Sequence, residues 1–413
     1  MAEKENKPIE FATTQSARSI DDGVKTDTSQ AHYTVTEDKI NSLLCEVHGS
    51  ENDRKSINRS YDHRKQQTEL LADAFSDLSF EYKKYQDEGF SDKEIMQQYC
   101  LVPRLGTRSM RVRGCGTTLE FWKLLDDPEA PWKLHKANFC RDRLCPMCMY
   151  RRSLKIFGQT SDILNHVDKK KYDFLFLTLT VPNCSGEELE SVCKRLISAF
   201  GDLLKKDEVK KVVKGYFRAL EVTFNHKYRS KSFMTFHPHL HVILAVPKSY
   251  FKKSYIKRDD WLQMWRDCYE DQTITQVFIE KVKSNNITEE MYNCADLMEV
   301  GIEKAIAETA KYSVKASDYL FARNKQMTNY AVKYFSYALR GLRLFAFGGV
   351  FQEISKMLNQ EDVMSDNADL IHVSADDYVN PFLAYMVVKF RWGDNRYNVL
   401  SVDRINQSIG EVC

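Results

Sequence analysis

Three histidines stand at alternate positions of one short stretch, His237-Pro-His239-Leu-His241, and three aliphatic residues follow them. Alternate side chains of a β-strand point to the same face, so the three imidazoles share a face while Leu240 and Val242 point into the core. Two or three imidazoles on one face are a natural site for a divalent metal ion. The spacing therefore predicts a metal site, whereas the alternative is a surface strand that happens to contain histidine.

A metal held by imidazoles is also expected to have a hard acidic ligand, and Glu221 is the candidate. It lies towards the polar end of the preceding predicted strand, Gly215–Phe224. A neighbouring antiparallel strand could bring its carboxylate beside His239 and His241. The alternative interpretation of Glu221 is a plain charge at the edge of the sheet.

A second reactive set lies in Ala305–Lys315, a stretch rich in good helix formers. Glu308 and Tyr312 are four residues apart and share one helix face, and Lys315 lies near that face. A phenol can act as a nucleophile, an ammonium can neutralise phosphate charge, and a carboxylate can activate water. Together with the histidine strand, the set predicts phosphoryl transfer, although such residues on a helix are more often a solvated face. Tyr319 is an alternative nucleophile, but it lacks an acid four residues before it.

Three cysteines, Cys140, Cys145 and Cys148, lie within nine residues, and Cys115 lies upstream. The Cys-x-x-Cys spacing lets two thiolates bind one tetrahedral zinc, which needs two further ligands. The surrounding segment has too few apolar residues to form a core, so a metal would supply the missing stability. We expect a structural zinc site of the four cysteines, with His135 as a substitute ligand; the alternative is ordinary buried or redox-active cysteines.

Positive charge is concentrated near these motifs. Residues 101–160 hold 12 Lys or Arg and five Asp or Glu, and residues 311–350 hold seven basic residues and one acidic residue. Such local excess suits contact with DNA phosphates. The residues predicted to make these contacts are Arg141, Arg143, Arg151, Arg152 and Lys311.

The elements that must position these residues follow from periodicity and composition. The chain divides into a disordered segment (1–65), a helical hairpin (66–103), a Cys-rich basic segment called here the cysteine module (104–160), a catalytic domain (161–355) and an acidic C-terminal extension (356–413). Ser91 and Glu94 form a capping-box pattern that opens the second helix of the hairpin.

The catalytic domain mixes strands with amphipathic helices, which indicates an α+β fold. Its predicted strands are Phe174–Thr180, Gly215–Phe224, Phe236–Val246, Gln276–Val282 and Arg343–Phe347. Its predicted helices begin at Ser185, at Trp261 and at Ile302, and the last is expected to reach Tyr312 and to extend towards Phe321.

Overall composition excludes several protein classes. The chain has 413 residues and a net charge of +2, which excludes a histone-like polycation. Its 11 cysteines are an odd number, which argues against a secreted disulfide scaffold. The first residues lack the apolar stretch of a secretory signal, and the longest apolar runs are far shorter than the roughly 20 residues that span a bilayer. We expect a reduced, cytosolic, soluble protein without a membrane partner.

His-hydrophobic-His, followed by a helix with Tyr-x-x-Lys, resembles the motifs of the HUH endonucleases, and most closely those of the rolling-circle replication initiators of small Gram-positive plasmids. Four blocks match in the family's order: Phe139–Cys148, Phe176–Thr180, Pro238–Val242 and Ala310–Tyr319. The resemblance covers roughly residues 105–350. It implies an antiparallel-sheet HUH domain with a ferredoxin- or RRM-like core, joined here to the cysteine module and a helical N-terminal extension.

The resemblance also implies roles for the site residues. His239 and His241 would hold one Mn²⁺ or Mg²⁺ with Glu221 as third ligand, while His237 lies where the family pattern is less demanding. Tyr312 would attack the scissile phosphate and leave a 5′-phosphotyrosine and a 3′-OH primer. Glu308 would activate water for the closing cleavage. A His-rich ligand set favours Mn²⁺ over Mg²⁺.

The implied substrate is single-stranded or hairpin DNA at the plasmid origin, and the implied partners are a host helicase and DNA polymerase. Two other functions stay open. One is an HUH relaxase or transposase, but in relaxases the tyrosine generally precedes the histidine motif, and here Tyr312 follows His241 by 71 residues. The other is a zinc-stabilised DNA-binding regulator without catalytic activity.

Overall fold

A computed structural model describes residues 57–125, 127, 130, 132–282, 301–310, 314–373, 377 and 383–405. Of the residues singled out above, Lys311 and Tyr312 lie outside the described residues. The predicted disordered segment also lies outside them as far as residue 56.

The described part of the chain is of the α+β class, as expected. Its α-helices are α1 (Ile57–Asp87), α2 (Asp92–Tyr99), α3 (Leu105–Gly114), α4 (Pro146–His166), α5 (Leu189–Leu203), α6 (Asp207–Val212), α7 (Tyr250–Lys253), α8 (Arg258–Tyr269), α9 (Gly301–Ala310), α10 (Lys325–Ala338) and α11 (Val350–Met357). Its strands are β1 (Thr118–Leu124), β2 (Lys133–Ala137), β3 (Tyr172–Thr180), β4 (Gly215–Asn225), β5 (Thr235–Pro247), β6 (Val277–Val282), β7 (Phe345–Gly349), β8 (Tyr385–Gly393) and β9 (Arg396–Ile405). None of the described helices combines the length and the apolar character that a membrane span requires.

The larger sheet has five antiparallel strands in the order β6-β3-β5-β4-β7. Its central strands are almost continuously buried, and Leu177, Phe217 and Leu240 are inaccessible to solvent. Such apolar runs are typical of strands covered on both faces. The predicted strands are confirmed, except that the last spans Phe345–Gly349 rather than Arg343–Phe347.

A second antiparallel sheet has the order β2-β1-β8-β9. It joins strands of the cysteine module to strands of the acidic C-terminal extension. Backbone pairing therefore connects two segments that the sequence analysis treats separately. The cysteine module also contains more regular structure than its composition indicated. Strands whose partners lie in a distant part of the chain leave little local signal, because tertiary context can override propensity.

The N-terminal helices contribute buried residues to the core. Helix α1 begins at Ile57, not Gln66, and packs against α2, α3, α4 and α10. The start of α1 corrects the prediction that disorder extends to residue 65. The capping box at α2 is present as predicted, with the Ser91 hydroxyl accepting from the Glu94 amide and the Glu94 carboxylate accepting from the Ser91 amide.

Candidate metal centres and nucleic-acid interface

The register of β4 on β5 brings the predicted acid to the histidines. Glu221 is the direct partner of His239 across the two strands. Its Oε2 atom lies 3.4 Å from Nε2 of His239 and 3.0 Å from Nε2 of His241. Glu221 is buried, so it is not the edge charge of the alternative interpretation. These three residues could hold a metal ion.

The Nδ1 atoms of the His239 and His241 imidazoles already contact other groups of the protein. Nδ1 of His239 lies 3.2 Å from the His237 carbonyl oxygen, which can accept a hydrogen bond from it. Nδ1 of His241 lies 3.2 Å from the Thr178 hydroxyl. Such outer contacts fix ring orientation and tautomer in metal sites. Both Nε2 atoms are therefore directed at Glu221.

His237 occupies a different position from the other two histidines. Its ring stacks on His239 with 5.3 Å between centroids, but it is not one of the residues that could hold the ion together with Glu221. Burial lowers the pKa of His237, and the neighbouring His239 lowers it further. The His237 carbonyl also contacts Nδ1 of His239, so His237 supports His239 through its backbone as well as its ring.

Charge at Glu221 is balanced by Lys315. Burial raises the pKa of Glu221, but hydrogen bonds from His239 and His241 and the charge of Lys315 outweigh it, so the pKa lies well below its usual value. The Lys315 ammonium lies 3.2 Å from Oε1 of Glu221. Burial lowers the pKa of Lys315, whereas Glu221 raises it, and the net shift is upward. Near neutral pH both groups are charged.

Lys315 does not reach this position from the helix face that was predicted. Its backbone is extended, with φ −74° and ψ 136°, and a short 3₁₀ turn follows at Ala316–Asp318. The expectation of one continuous helix towards Phe321 is therefore wrong. Glu308, on α9, and Asp318 both contribute to the raised pKa of Lys315, so their carboxylates act electrostatically on the same ammonium.

Tyr319 is unsuitable as the alternative nucleophile. Its side chain is 1% exposed, and its hydroxyl donates a hydrogen bond to the Leu144 carbonyl oxygen in the cysteine module. A nucleophile must reach its phosphate, and this phenol is enclosed by protein. The contact instead fastens the segment after Lys315 to the cysteine module.

The four predicted cysteines converge. The Sγ atoms are 3.6 Å apart for Cys115 and Cys148, 3.7 Å for Cys140 and Cys148, and 3.5 Å for Cys115 and Cys145. Tetrahedral zinc with bonds of about 2.3 Å separates its sulfurs by about 3.8 Å, whereas a disulfide needs about 2.05 Å. The spacing therefore fits a four-thiolate metal site and excludes disulfides. His135 lies on β2, outside this group.

Polar groups surround the cysteine cluster. The backbone amide of Arg141 donates to Cys148 Sγ at 3.2 Å, and that of Cys140 donates to Cys115 Sγ at 3.3 Å. Lys65, on α1, is fully buried beside the cluster and donates to the Arg113 carbonyl at 2.7 Å. Burial lowers the pKa of Lys65 more than Glu69, Cys115 and Cys145 raise it, so the net shift is downward. A cation at this position would offset the negative charge of thiolates that hold a metal.

Two of the arginines predicted to contact DNA are buried, which corrects that prediction. Arg151 is 6% exposed and donates to the Leu370 and Ile371 carbonyls. Arg152 is fully buried and donates to the Val363, Asp142 and Arg141 carbonyls. Both occupy the buried side of α4, where they donate to carbonyls of irregular backbone. Arg141 is exposed and Arg143 is half-buried, so these two remain accessible.

Comparison with known proteins assigns the chain to a family. A family model described as "Replication protein" matches residues 131–398, well over half of the chain. The chain belongs to this family of replication proteins. The family-level resemblance predicted from the motifs is thereby confirmed, and the matched range includes both the carboxylate–histidine cluster and three of the four clustered cysteines.

Individual replication proteins show the same similarity. The chain is 35% identical over 290 residues to "Protein rep" of Bacillus amyloliquefaciens, covering 69% of this chain and 82% of the relative. It is 36% identical over 297 residues to "Protein rep" of Lactiplantibacillus plantarum, covering 70% and 87%. A "Protein rep" of Staphylococcus aureus is 36% identical over 251 residues, covering 59% and 99%. No solved structure matches the chain.

Sequence reasoning missed two residues that support the sites of this replication protein. Thr178 lies on β3 and reaches His241 across the sheet, and Lys65 reaches the cysteine cluster from α1. The Phe176-Leu-Thr-Leu-Thr180 block was noted as a strand, and its alternation could have placed Thr178 on the histidine face. No local signal distinguishes Lys65 from other lysines of a polar segment.

Proposed function

We propose that this protein initiates rolling-circle replication of a plasmid by nicking and rejoining one DNA strand at the double-strand origin. The observation that supports this most directly is the convergence of Glu221, His239 and His241 beside Lys315 in a member of the replication protein family. A buried ligand set next to an ammonium suits a reaction at a phosphodiester. The proposed core is an HUH domain of ferredoxin or RRM type, built on the five-stranded sheet.

Tyr312 is the proposed nucleophile. Its phenolate oxygen would attack the scissile phosphorus and release the 3′ oxygen of the neighbouring nucleotide, leaving a 5′-phosphotyrosine and a free 3′-OH primer. The described residues on either side of Tyr312 support this assignment. Helix α9 packs against β4 and β5, and Lys315 binds Glu221.

Glu308 is the proposed base for the closing cleavage. It stands four residues before Tyr312, and its charge acts on Lys315. A carboxylate there could accept a proton from water, so that a second cleavage proceeds without a second tyrosine. The protein would then be released after one round.

Glu221, His239 and His241 are the proposed ligands of a catalytic Mn²⁺ or Mg²⁺. Two imidazoles and a carboxylate suit Mn²⁺ better than the all-oxygen set that Mg²⁺ prefers. The bound ion supplies Lewis-acid polarisation of the scissile phosphate. Lys315 holds the Glu221 carboxylate in place and adds positive charge on the side from which Tyr312 would approach.

The remaining assignments follow from the same function. The four cysteines would hold a structural Zn²⁺, and Arg141, Arg143 and Lys311 would contact DNA phosphates. We retain as proposals the division into segments 66–103, 104–160, 161–355 and 356–413, a cytoplasmic bacterial location, and a host helicase and polymerase as partners. A relaxase or transposase and a non-catalytic DNA-binding regulator are the alternatives.

A covalent-adduct assay tests the proposal. Wild-type protein and Tyr312→Phe are incubated with Mn²⁺ and a labelled single strand carrying the plasmid's own origin. We expect a denaturation-resistant protein–DNA adduct and a shortened 3′-OH strand with wild type, and neither with Tyr312→Phe. Tyr319→Phe is the matched control and should form the adduct, because its phenol is enclosed.

Each result separates the candidates. An adduct with Tyr312→Phe at the wild-type level would remove Tyr312 from the mechanism. Origin binding without any adduct or nick would favour the regulator. An adduct that forms at a transfer origin or transposon end and not at the replication origin would favour the relaxase or transposase.

A further inference from the structure

A cavity of about 340 Å³ lies on the cysteine module, where the loop of the cysteine cluster meets the C-terminal end of α10. Its volume is at the lower end of the roughly 300–1,000 Å³ typical of small-molecule sites. Five arginines line it, from three separate segments of the chain: Arg108, Arg111, Arg141, Arg143 and Arg340.

The charge of this arginine cavity is only partly balanced. Two acids line it, and one of them, Asp142, is already occupied by a bidentate contact with Arg108 at 2.9 and 3.1 Å. Asp366 is exposed. The cavity therefore carries a net positive charge of three, which attracts an anion.

Several guanidinium donors remain available to a ligand. Arg111 and Arg143 each spend one nitrogen on a backbone carbonyl, of Cys140 at 3.0 Å and of Leu342 at 2.8 Å. In the described part of the chain the Arg141 guanidinium makes no hydrogen bond, and Arg340 contacts the Met96 sulfur. Planar guanidinium groups match phosphate oxygens in a bidentate way.

The other walls are apolar and come from residues such as Val102, Leu144 and Leu339. A small inorganic anion would leave this apolar surface unused. A nucleotide would use both parts, because its phosphate can bind the arginines while its sugar and base lie along the apolar wall. A paired base cannot enter a cavity of this size, so a DNA ligand must be single-stranded there.

The arginine cavity is connected to the carboxylate–histidine cluster through a short length of backbone. Arg143 binds the Leu342 carbonyl, and the Leu344 carbonyl accepts from the amide of Leu220, the neighbour of Glu221 in β4. Two residues of extended chain span about 7 Å. The chain next to the cavity thus pairs directly with β4, the strand that carries Glu221.

We propose that the arginine cavity binds one nucleotide of the single-stranded substrate, outside the carboxylate–histidine cluster, and so helps to hold the strand during nicking. That the bound nucleotide belongs to a DNA strand rests on the proposed function. That the cavity binds a nucleotide at all rests on the residues that line it. A free nucleotide presents the same phosphate, sugar and base, and the test distinguishes it from a nucleotide within a DNA strand.

The test compares two double variants with equal loss of charge. Arg141→Gln with Arg340→Gln removes two exposed arginines of the cavity, and Arg195→Gln with Arg258→Gln removes two exposed arginines on α5 and α8. All proteins also carry Tyr312→Phe and contain no added divalent metal, so nicking does not enter the measurement. Zinc content and thermal unfolding verify that each variant is folded.

Binding of a labelled single-stranded oligonucleotide is measured by fluorescence anisotropy over a range of salt concentrations. We expect the cavity variant to bind at least tenfold more weakly, with the slope of log K against log salt reduced by about 0.7, because the one phosphate held in the cavity contributes about 0.7 to that slope. The control should bind within about threefold of wild type. Restoring charge with Arg141→Lys and Arg340→Lys should recover part of the slope.

A mononucleotide, deoxythymidine 5′-monophosphate, is titrated in parallel by calorimetry. Loss of oligonucleotide binding in the cavity variant supports DNA as the source of the nucleotide. Loss of mononucleotide binding, with oligonucleotide binding intact, keeps the nucleotide site but assigns it to a free nucleotide. If both affinities and the salt slope match those of the control, the arginine cavity does not bind nucleotides, whatever the nicking assay shows.

Discussion

Lys315, in the segment that follows α9, forms an ion pair with Glu221 on β4. The Nζ atom of Lys315 lies 3.2 Å from Oε1 of Glu221. The other oxygen of the same carboxylate faces Nε2 of His241 at 3.0 Å. One buried carboxylate therefore links the histidine strand to the stretch of chain that carries Tyr312. This linkage makes Glu221 the residue on which the proposed metal site and the proposed nucleophile both depend.

Replacing that carboxylate should remove metal binding. We expect Glu221→Gln to weaken Mn²⁺ binding at least 100-fold, because the anionic ligand is lost and the neutral amide no longer balances Lys315. Calorimetric titration of zinc-loaded protein with Mn²⁺ measures the affinity.

Glu280→Gln is the matched control, since Glu280 is an exposed acid on β6 of the same sheet. If Glu221→Gln and Glu280→Gln bind Mn²⁺ equally well, the cluster is not the metal site.

The carboxylate–histidine cluster was predictable because its signals are local. Alternation along one strand places His239 and His241 on a common face, and an antiparallel neighbour brings Glu221 to them. The cysteine cluster was predictable for a similar reason, since Cys-x-x-Cys spacing follows from tetrahedral geometry. Both convergences are present in the structure.

Other features depend on contacts between distant segments, and the sequence pattern misled there. Arg151 and Arg152 look like a solvent-facing basic pair. However, Arg151 donates to the Leu370 carbonyl and Arg152 donates to the Val363 carbonyl, and no local pattern connects these residues to α4. The strand pairing of β1 with β8 is equally non-local. Lys315 was predicted to lie near the helix face of Glu308 and Tyr312, but its backbone is extended and its ammonium pairs with Glu221.

Glu308 should be needed for the second cleavage and not for the first. We expect Glu308→Gln to form the Tyr312–DNA adduct at a rate within about threefold of wild type, and to slow its resolution by 100-fold or more, because the amide cannot accept a proton from water. Single-turnover kinetics on origin DNA, followed by release of the adduct, measure the two rates.

Glu187→Gln provides a comparison, because Glu187 is an acid outside the site, bonded to Tyr334. Resolution at the wild-type rate in Glu308→Gln would exclude Glu308 as the base.

Arg152 should contribute to stability rather than to DNA binding. Its guanidinium donates to three buried carbonyls, and Arg152→Met would remove this donor from the Val363 and Arg141 carbonyls. We expect the free energy of unfolding to fall by about 3 kcal/mol, as measured by chemical denaturation. Arg195→Met should cost less than about 1 kcal/mol, because Arg195 forms an exposed pair with Glu270 at 3.4 Å. Equal stability of the two variants, with DNA affinity reduced only in Arg152→Met, would support the original prediction that Arg152 contacts DNA.

Lys65 should support the cysteine cluster through its charge. Four thiolates around one Zn²⁺ carry a net charge of −2, and the Lys65 ammonium is the buried cation that α1 places beside them. Methionine keeps the length of the side chain and removes the charge. We expect Lys65→Met to release zinc to a colorimetric chelator 10- to 100-fold more readily, the usual effect of losing an outer contact. Lys84→Met, on the same helix but 69% exposed and paired with Glu88, should behave as wild type. Identical zinc release from Lys65→Met and Lys84→Met would mean that the cluster does not need the buried charge.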